Sequence, residues 1–483
     1  MRARWPRRGF GLLLAGLAPL SAQAHGFGRL YNLPVPFWLY AWAASAALVL
    51  SFVLAAYFLS SPAATASRHP GRDLGDTGLA RALRRARPAL GLLSVLLLLL
   101  CIATGALGSR DPFRNFSMTF FWVVFLLGFT YLTALVGDFY NALNPWRVMS
   151  AALGRRWRGY TQGRIRYRAG WGDWPALALY LGFIWFELFG LGRPQPLSEM
   201  LIAYTALNLA GVWLVGSADW FRHCEFFGLF LRLVGLMAPL KRGFRLHWPF
   251  AGLPHARPQS LSTVVFALAM LATTAFDGLR ATQWWVHLFW SDPTGLVTTL
   301  AGSRPMAAYA SLRPWYIGWE TTCLLLLPLI YLAAYWACLA LAKTLTGSLR
   351  PVRELALDFG YTLLPIALAY HATHYATLLL TQGLKIVSLA SDPFGWGWNL
   401  FGTADLLRAP ILPGMGLVWH TQVGLILFGH VVSVAVAHRV ALRVWPTRRQ
   451  ALLSQLPMLA LMVLFTVAGL WILAQPLTME RVR

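Results

Sequence analysis

Long apolar runs constrain the fold of this chain more than any other feature of its sequence. A helix needs about 20 apolar residues to cross the hydrocarbon core of a bilayer, and ten runs near this length follow one another. They lie at about 35–59, 89–108, 118–137, 175–192, 199–216, 260–280, 316–342, 356–381, 415–440 and 455–474. Because backbone groups in hydrocarbon must be hydrogen-bonded within the protein, these runs predict an all-α polytopic transmembrane helix bundle.

The composition supports this class. Hydrophobic residues make up 58% of the 483 residues and charged residues 12%, whereas a soluble domain has about 25% charged residues. The formal net charge of +24 would suggest a nucleic-acid partner in a soluble protein, but here the basic residues lie in short segments between apolar runs. The four cysteines show no spacing of a disulfide framework or a zinc ribbon. We therefore expect a multi-pass membrane protein whose main partner is the lipid bilayer, with no nucleic acid.

The distribution of Lys and Arg predicts the orientation. Every second loop is basic, with clusters at 68–87, 147–168, 241–245, 343–353 and 439–449. Such loops stay in the cytoplasm, so both mature termini are expected outside, in a bacterial inner (cytoplasmic) membrane.

The first 24 residues have the three parts of a secretory signal peptide. A basic start is followed by an apolar stretch at 10–20 and by Ala22-Gln23-Ala24, an A-x-A cleavage site. Cleavage would leave His25 at an external N-terminus and 25–483 as a single polytopic membrane domain. An N-terminal histidine offers its α-amino and imidazole nitrogens to one metal ion, a pair that suits copper.

Some segments do not fit the count of spans. The segment at about 220–244 mixes charged and bulky apolar residues at helical spacing, which predicts a helix lying in the cytoplasmic interface. Two external connections, at about 281–315 and 386–414, are rich in Trp, Pro and Gly and can fold over the outer mouth of the bundle.

Ionisable residues inside apolar runs mark a candidate site, because they are costly in hydrocarbon and usually face a bundle interior. His371 and His374 are three residues apart on one helical face, which is a metal-ligand spacing. His430 and His438 are expected near mid-membrane and at the inner end. The residues that the predicted orientation places in the outer half of the membrane are His371, His374, His420, Asp277, Glu187 and Glu320.

Several interpretations of these residues remain open. A divalent metal ion, zinc or copper, would be bound by histidines and a carboxylate from different helices. A transporter or metal-handling protein would use the same groups as a relay that His430 and His438 continue inward. A haem of b type would need a facing pair, either His374 with His420 or His371 with His430. Each group can also form a hydrogen bond between helices.

Five stretches carry a family resemblance: the segment beginning "HGFGRLYNLPVPFW", then "NALNPWRV", "TTAFDGL", "YHATHY" and "GHVVSVAVAH". Over most of the mature chain, the sequence resembles a family of polytopic bacterial membrane proteins labelled fenitrothion hydrolase. The resemblance implies hydrolysis of an organophosphate triester, a small apolar substrate that arrives through the lipid.

The residues and the implied reaction can be combined. A metal that polarises the P=O oxygen and activates a bound water would assist the hydrolysis, and Glu187 or Glu320 would act as the catalytic base. The predicted metal ligands are His25, Asp277, His371, His374 and His420.

Overall fold

The computed structural model describes residues 35–58, 71–190, 192–241, 243–407 and 414–475. The predicted signal peptide and His25 lie outside the described residues. Within these ranges the chain is helical except for loops and three strands of two residues each.

Nine helices of the described residues are long and apolar enough to cross a membrane, which confirms the all-α polytopic bundle. The helix at the predicted fourth span has 16 residues and is about 24 Å long at 1.5 Å per residue. In chain order these ten helices are α1 (Phe37–Phe58), α2 (Gly78–Leu107), α3 (Phe116–Leu135), α4 (Trp174–Phe189), α5 (Pro194–Val215), α6 (Leu261–Arg280), α7 (Tyr309–Thr346), α8 (Val352–Ser391), α9 (Met415–Val444) and α10 (Arg448–Ala474).

Some of these helices change their winding, and shorter helices lie between them. α3 is a π-helix over Thr119–Phe129, and α8 has 3₁₀ turns at Gly360–Leu363 and Gly383–Lys385. The shorter helical segments are Pro112–Arg114, Tyr140–Leu143, Pro145–Arg156, Ala169–Trp171, Ser217–Asp219, Trp220–Cys224, Phe226–Gly235, Leu253–His255, Gln283–Trp290 and Leu296–Ala301.

The short helix α4 covers the same depth as its longer neighbour α6. Before the start of α4, the backbone N–H of Asp173 donates to Oγ of Ser262, in the first turn of α6 (2.7 Å). Near the other end, Nη1 of Arg280, the last residue of α6, donates to the carbonyl of Leu188 (3.2 Å). α4 therefore crosses the bundle as α6 does.

Contacts between loops support ten crossings. Strands β1 (Arg72–Asp73), β2 (Leu240–Lys241) and β3 (Arg245–Leu246) form an antiparallel sheet in the order β1-β3-β2. This sheet joins the loop after α1 to the loop after α5, so an even number of crossings must separate these loops. Without a crossing by α4 the number would be odd, and the loops would lie on opposite sides of the membrane.

The side of the membrane on which this sheet lies can be tested with introduced cysteines. Thr299 follows α6 and Gln162 follows α3, and both side chains are exposed. In intact spheroplasts, Thr299→Cys is expected to react with a membrane-impermeant maleimide, whereas Gln162→Cys should react only after permeabilisation, because Arg-rich loops remain in the cytoplasm. The unsubstituted protein controls for the native thiols. The opposite labelling pattern would reverse the orientation.

α6 is the central helix of the site-bearing half of the bundle. It packs against α4, α7, α8 and α10, and 16 of its 20 residues are buried. Small residues such as Ala267 and Ala272 allow this close approach of helices. Because protein surrounds α6, the polar residues in its second half, Thr273 and Asp277, face other helices rather than lipid.

α8 and α9 cross with their backbones almost in contact. A Cβ atom at Gly429 of α9 would lie 2.3 Å from Cβ of Ala369 and 2.8 Å from the carbonyl oxygen of Pro365, both in α8. Only glycine fits at this crossing. Between His371 and His374, the carbonyl of Thr373 accepts a hydrogen bond from Nε2 of Gln422 in α9 (2.8 Å). These contacts fix the position of the α8 histidines.

The segment predicted to lie in the interface instead enters the bundle. Residues 217–224 lead inward, Glu225 forms the turn, and Phe226–Gly235 returns; we call 217–235 the re-entrant hairpin. Glu225 contacts Tyr204, which lies halfway along α5, and eight of the ten residues of Phe226–Gly235 are buried. Irregular backbone at membrane depth is tolerated where protein surrounds it. The bulky apolar residues therefore face protein rather than lipid headgroups.

The turn and the end of the hairpin are both capped. The carboxylate of Glu225 accepts hydrogen bonds from Tyr204 and Asn144 and from the backbone N–H groups of Phe227 and Gly228, at 2.8–3.1 Å. At the other end, Nζ of Lys241 donates to the carbonyls of Gly235 (3.2 Å) and Leu236 (2.7 Å). The hairpin is thus held at its turn, level with the middle of α5, and at the three-stranded sheet.

The predicted external connections pack on the outer ends of helices. Trp285 stacks on Trp319 of α7, with ring centroids 4.4 Å apart. In the second connection, the carbonyl of Phe394 accepts from the backbone N–H of Ser109 after α2 (2.7 Å). Residues 408–413 of this connection lie outside the described ranges.

Candidate functional site

Asp277 links α6 to α8 near the centre of the site. Its Oδ2 accepts a hydrogen bond from Nε2 of His374 (2.9 Å) and another from the hydroxyl of Tyr375 (2.8 Å). The sequence predicted that Asp277 and His374 would converge, and the structure brings them into direct contact. Two donors compensate the charge of one carboxylate oxygen, as a carboxylate inside a membrane requires.

His371 lies one turn earlier on α8 and has a different partner. Its Nδ1 is 3.2 Å from the hydroxyl of Tyr131 in α3. Its ring also packs near Phe230 of the re-entrant hairpin and Tyr375, with ring centroids 6.3 and 4.8 Å away. His371 therefore joins α8 to α3, while His374 joins it to α6.

A small chamber lies between these groups. It gives the centre of a water molecule about 30 Å³ of space, which is enough for one or two waters, because one water needs about 10–15 Å³. Aromatic residues of the hairpin close part of it. The polar residues that line the chamber are Tyr180, Glu187, Thr273, Thr274, Asp277, His371 and Tyr375.

A larger cavity adjoins the chamber and reaches the loops after α2 and α4. We call it the outer cleft, because these loops are predicted to be external. It offers about 300 Å³ to the centre of a water molecule, a volume typical of the smaller ligand sites. Its walls are mainly apolar and aromatic, with Arg193 and Gln382 among the polar exceptions. The chamber and the cleft share the lining residues Leu126, Leu127, Glu187 and Tyr375.

Glu187 lies where the two cavities meet. Among the described residues its carboxyl group has no hydrogen-bond or ion-pair partner, and it faces both cavities. An ionisable group in a membrane span without such a partner points to a function rather than to helix packing.

Glu320, the other predicted base, forms a structural ion pair. Its two carboxylate oxygens accept from Nε (3.3 Å) and Nη2 (3.0 Å) of Arg280, and Oε1 also accepts from Nε1 of Trp285 (3.1 Å). The Glu320 side chain is buried, and that of Arg280 is 9% exposed. Glu320 therefore ties α7 to the end of α6 and does not line either cavity of the site.

The remaining predicted residues lie elsewhere. His420 is exposed beside Tyr40, and its Nδ1 is 2.7 Å from the carbonyl oxygen of Gly416. His430 is buried with its Nδ1 2.8 Å from the carbonyl of Ile426. His438 pairs with Gln455 in α10.

The described residues do not gather the predicted metal ligands into one cluster. No group of three His, Cys, Asp or Glu side chains in this part of the chain is arranged to hold a metal ion. Nε2 of His374 and Oδ2 of Asp277, which would have to face a shared ion, are bonded to each other. The metal site that includes His25 stays a prediction, and no catalytic step is derived from it.

Sequence reasoning missed the tyrosines and the π-helix of the site. Tyr131 and Tyr375 are uncharged, and aromatic residues in spans usually pack or lie at the interface, so neither stood out, although "YHATHY" contains Tyr375. The π-helix Thr119–Phe129 lines both cavities. Its sequence is apolar almost throughout, so no periodicity distinguishes it from an α-helix.

Replacing Asp277 with asparagine is expected to lower the free energy of unfolding by about 2–4 kcal/mol, because both donors lose a charged acceptor. The matched control, Tyr375→Phe, removes one donor and should cost about 1 kcal/mol. Thermal unfolding in detergent measures both effects. Equal stability of Asp277→Asn and the parent would contradict the assigned contacts.

No family model, curated protein sequence or solved structure shows significant similarity to this chain. The site is therefore interpreted from its own geometry.

Proposed function

We propose that this protein is a hydrolase of the bacterial inner membrane that cleaves small esters with a largely apolar body, including phosphotriesters, from the periplasmic side. The position of Glu187 supports this proposal most strongly. A carboxyl group with no hydrogen-bond or ion-pair partner in the described part of the chain lies between a cleft of small-molecule size and a chamber of water size. This arrangement suits a base that activates water against a bound ester.

The proposed reaction consumes one water per ester. Glu187 takes a proton from a water in the chamber while the water oxygen forms a bond to the phosphorus or acyl carbon of the ester. The bond to the leaving alkoxide or aryloxide breaks, and the leaving oxygen receives the proton from Glu187. Glu187 is thereby ionised again.

The neighbouring residues supply a donor and fix the geometry. If the hydroxyl of Tyr131 donates to Nδ1 of His371, Nε2 carries the proton of the neutral ring and can donate to the ester oxygen on which charge develops. Such a donor acts strongly in a site that excludes bulk water. Asp277 does not touch the substrate in this mechanism; it positions His374 and Tyr375 and thereby the face of α8 that carries His371.

The test is turnover of diethyl 4-nitrophenyl phosphate by purified protein in detergent, followed by release of 4-nitrophenol. We expect turnover in the parent protein and its loss in Glu187→Gln. Substrate uptake by sealed proteoliposomes without hydrolysis would instead favour a transporter. A Soret band would favour a haem protein.

Metal analysis of the same preparation tests the predicted ligands. The parent protein could contain stoichiometric zinc or copper that both His371→Ala and His374→Ala lose. That result would show that the proposed hydrolase contains a bound metal. Full turnover of a preparation without bound metal would support acid–base catalysis by the protein residues alone.

A further inference from the structure

The outer cleft has a basic group at its outer end. Arg193 lines the cleft immediately before α5, and its side chain is exposed. It forms no ion pair with any residue that the structure describes. A second cation is close, because Nζ of Lys385 lies 5.1 Å from the ring centroid of Phe113, which also lines the cleft.

Acidic residues near this end are already bonded. Asp111 is adjacent in sequence to the lining residue Pro112, and its Oδ1 accepts from the backbone N–H of Phe113 (2.9 Å). Glu199, in the second turn of α5, accepts from Gln195 (3.0 Å), and neither acid lines the cleft. Among the residues that the structure describes, no acid lines the cleft beside Arg193.

The inner end carries carboxyl groups instead. Glu187 faces the cleft there, and Asp277 lies beyond it in the chamber. The walls between the two ends are mainly apolar and aromatic. A ligand with an anionic group at one end is favoured in only one orientation, with that group toward Arg193.

We propose that the natural substrate of this site is a small anionic ester. Its acid group binds at Arg193, its apolar body lies between the aromatic walls, and its ester bond lies beside Glu187 at the end away from the acid group. The inference rests on the proposed function and names its substrate class. It predicts that a neutral phosphotriester is a weak substrate that fills the apolar walls but not the basic end.

Two esters that differ by one methyl group and one charge test this. Diethyl 4-carboxyphenyl phosphate is anionic at pH 7, and its neutral counterpart is diethyl 4-(methoxycarbonyl)phenyl phosphate. Binding of both is measured by equilibrium dialysis at low ionic strength, using the Glu187→Gln protein so that no hydrolysis occurs. We expect the anionic ester to bind at least tenfold more tightly, and added salt to reduce the difference because it screens an exposed charge.

Variants of Arg193 assign the preference to one residue. Arg193→Gln should remove it and Arg193→Lys should keep part of it. Arg304→Gln, which changes an exposed arginine that does not line the cleft, should leave it unchanged. Three outcomes would overturn the inference. The two esters could bind equally, neither could bind, or the preference could survive in Arg193→Gln.

These outcomes are independent of the proposed hydrolysis. An anion preference in a protein without ester turnover would reject the hydrolase and retain the anionic ligand. Turnover with no preference for the anionic ester would retain the hydrolase and reject the substrate class.

Discussion

Glu187→Gln is expected to reduce ester turnover by about 10²–10⁴-fold, the usual contribution of a general base. Glutamine has nearly the same size but cannot take the proton of the attacking water. The described structure gives the carboxyl group no hydrogen-bond partner to lose, so the melting temperature of the purified protein should stay close to that of the parent. Steady-state turnover and thermal unfolding on one preparation measure both expectations.

Glu320→Gln is the matched control, because it makes the same chemical change in another membrane carboxylate. Here the neutral amide faces the buried guanidinium of Arg280, and removal of one charge from a buried pair costs about 3–5 kcal/mol. We expect a lower melting temperature and normal turnover by the protein that remains folded. The assigned roles would be exchanged by the opposite pair of results. In that case Glu187→Gln would show normal turnover, and Glu320→Gln would be stable but inactive.

Glu225→Ala is expected to destabilise the protein by about 3–5 kcal/mol, since it leaves several buried donors without an acceptor. The hydroxyl of Tyr204, the amide of Asn144 and two backbone N–H groups all donate to this carboxylate. Water does not reach the turn to replace it, because Glu225 is only 1% exposed. Thermal unfolding in detergent, with the yield of folded protein after purification, measures the loss.

Glu225→Gln separates loss of the acceptor from loss of side-chain volume. Glutamine keeps one acceptor oxygen but places an NH₂ group against two donors, so its stability should lie between those of the parent and Glu225→Ala. If Glu225→Ala unfolds at the temperature of the parent, the re-entrant hairpin does not depend on this turn. The hairpin carries Phe226 and Phe230 to the chamber, so a large loss of stability should be accompanied by a loss of turnover.

The helices and their order were determined by the sequence because the reason for them is local. Hydrocarbon offers no hydrogen bonds, so an apolar run of sufficient length satisfies its own backbone as a helix whatever its neighbours are. This holds even for α4, whose 16 residues are short for a span. The free-energy cost of placing a charge in hydrocarbon is equally local. For this reason the sequence alone identified Glu187, Asp277 and His374 as candidate site residues.

The partners of these residues were decided only by the tertiary structure. Glu187 and Glu320 have the same chemistry and the same predicted depth, yet one faces a cavity and the other an arginine, because that depends on the rotation of α4 and α7 about their axes. His420 was expected beside His374 at the same depth, but it faces outward beside Tyr40. Helix rotation and helix crossing are set by side-chain packing between segments far apart in the chain. The sequence of one apolar run therefore does not predict them.

The re-entrant hairpin also shows that the sequence of one segment does not predict its partners. Its mixture of arginines and bulky apolar residues is that of an interfacial helix, and composition alone cannot distinguish the two. Burial distinguishes them here, because Glu225 finds Tyr204 and Asn144 on two other parts of the chain. Which residues can enter a membrane is thus determined by their own chemistry, whereas which of them form a site is determined by the helices that surround them.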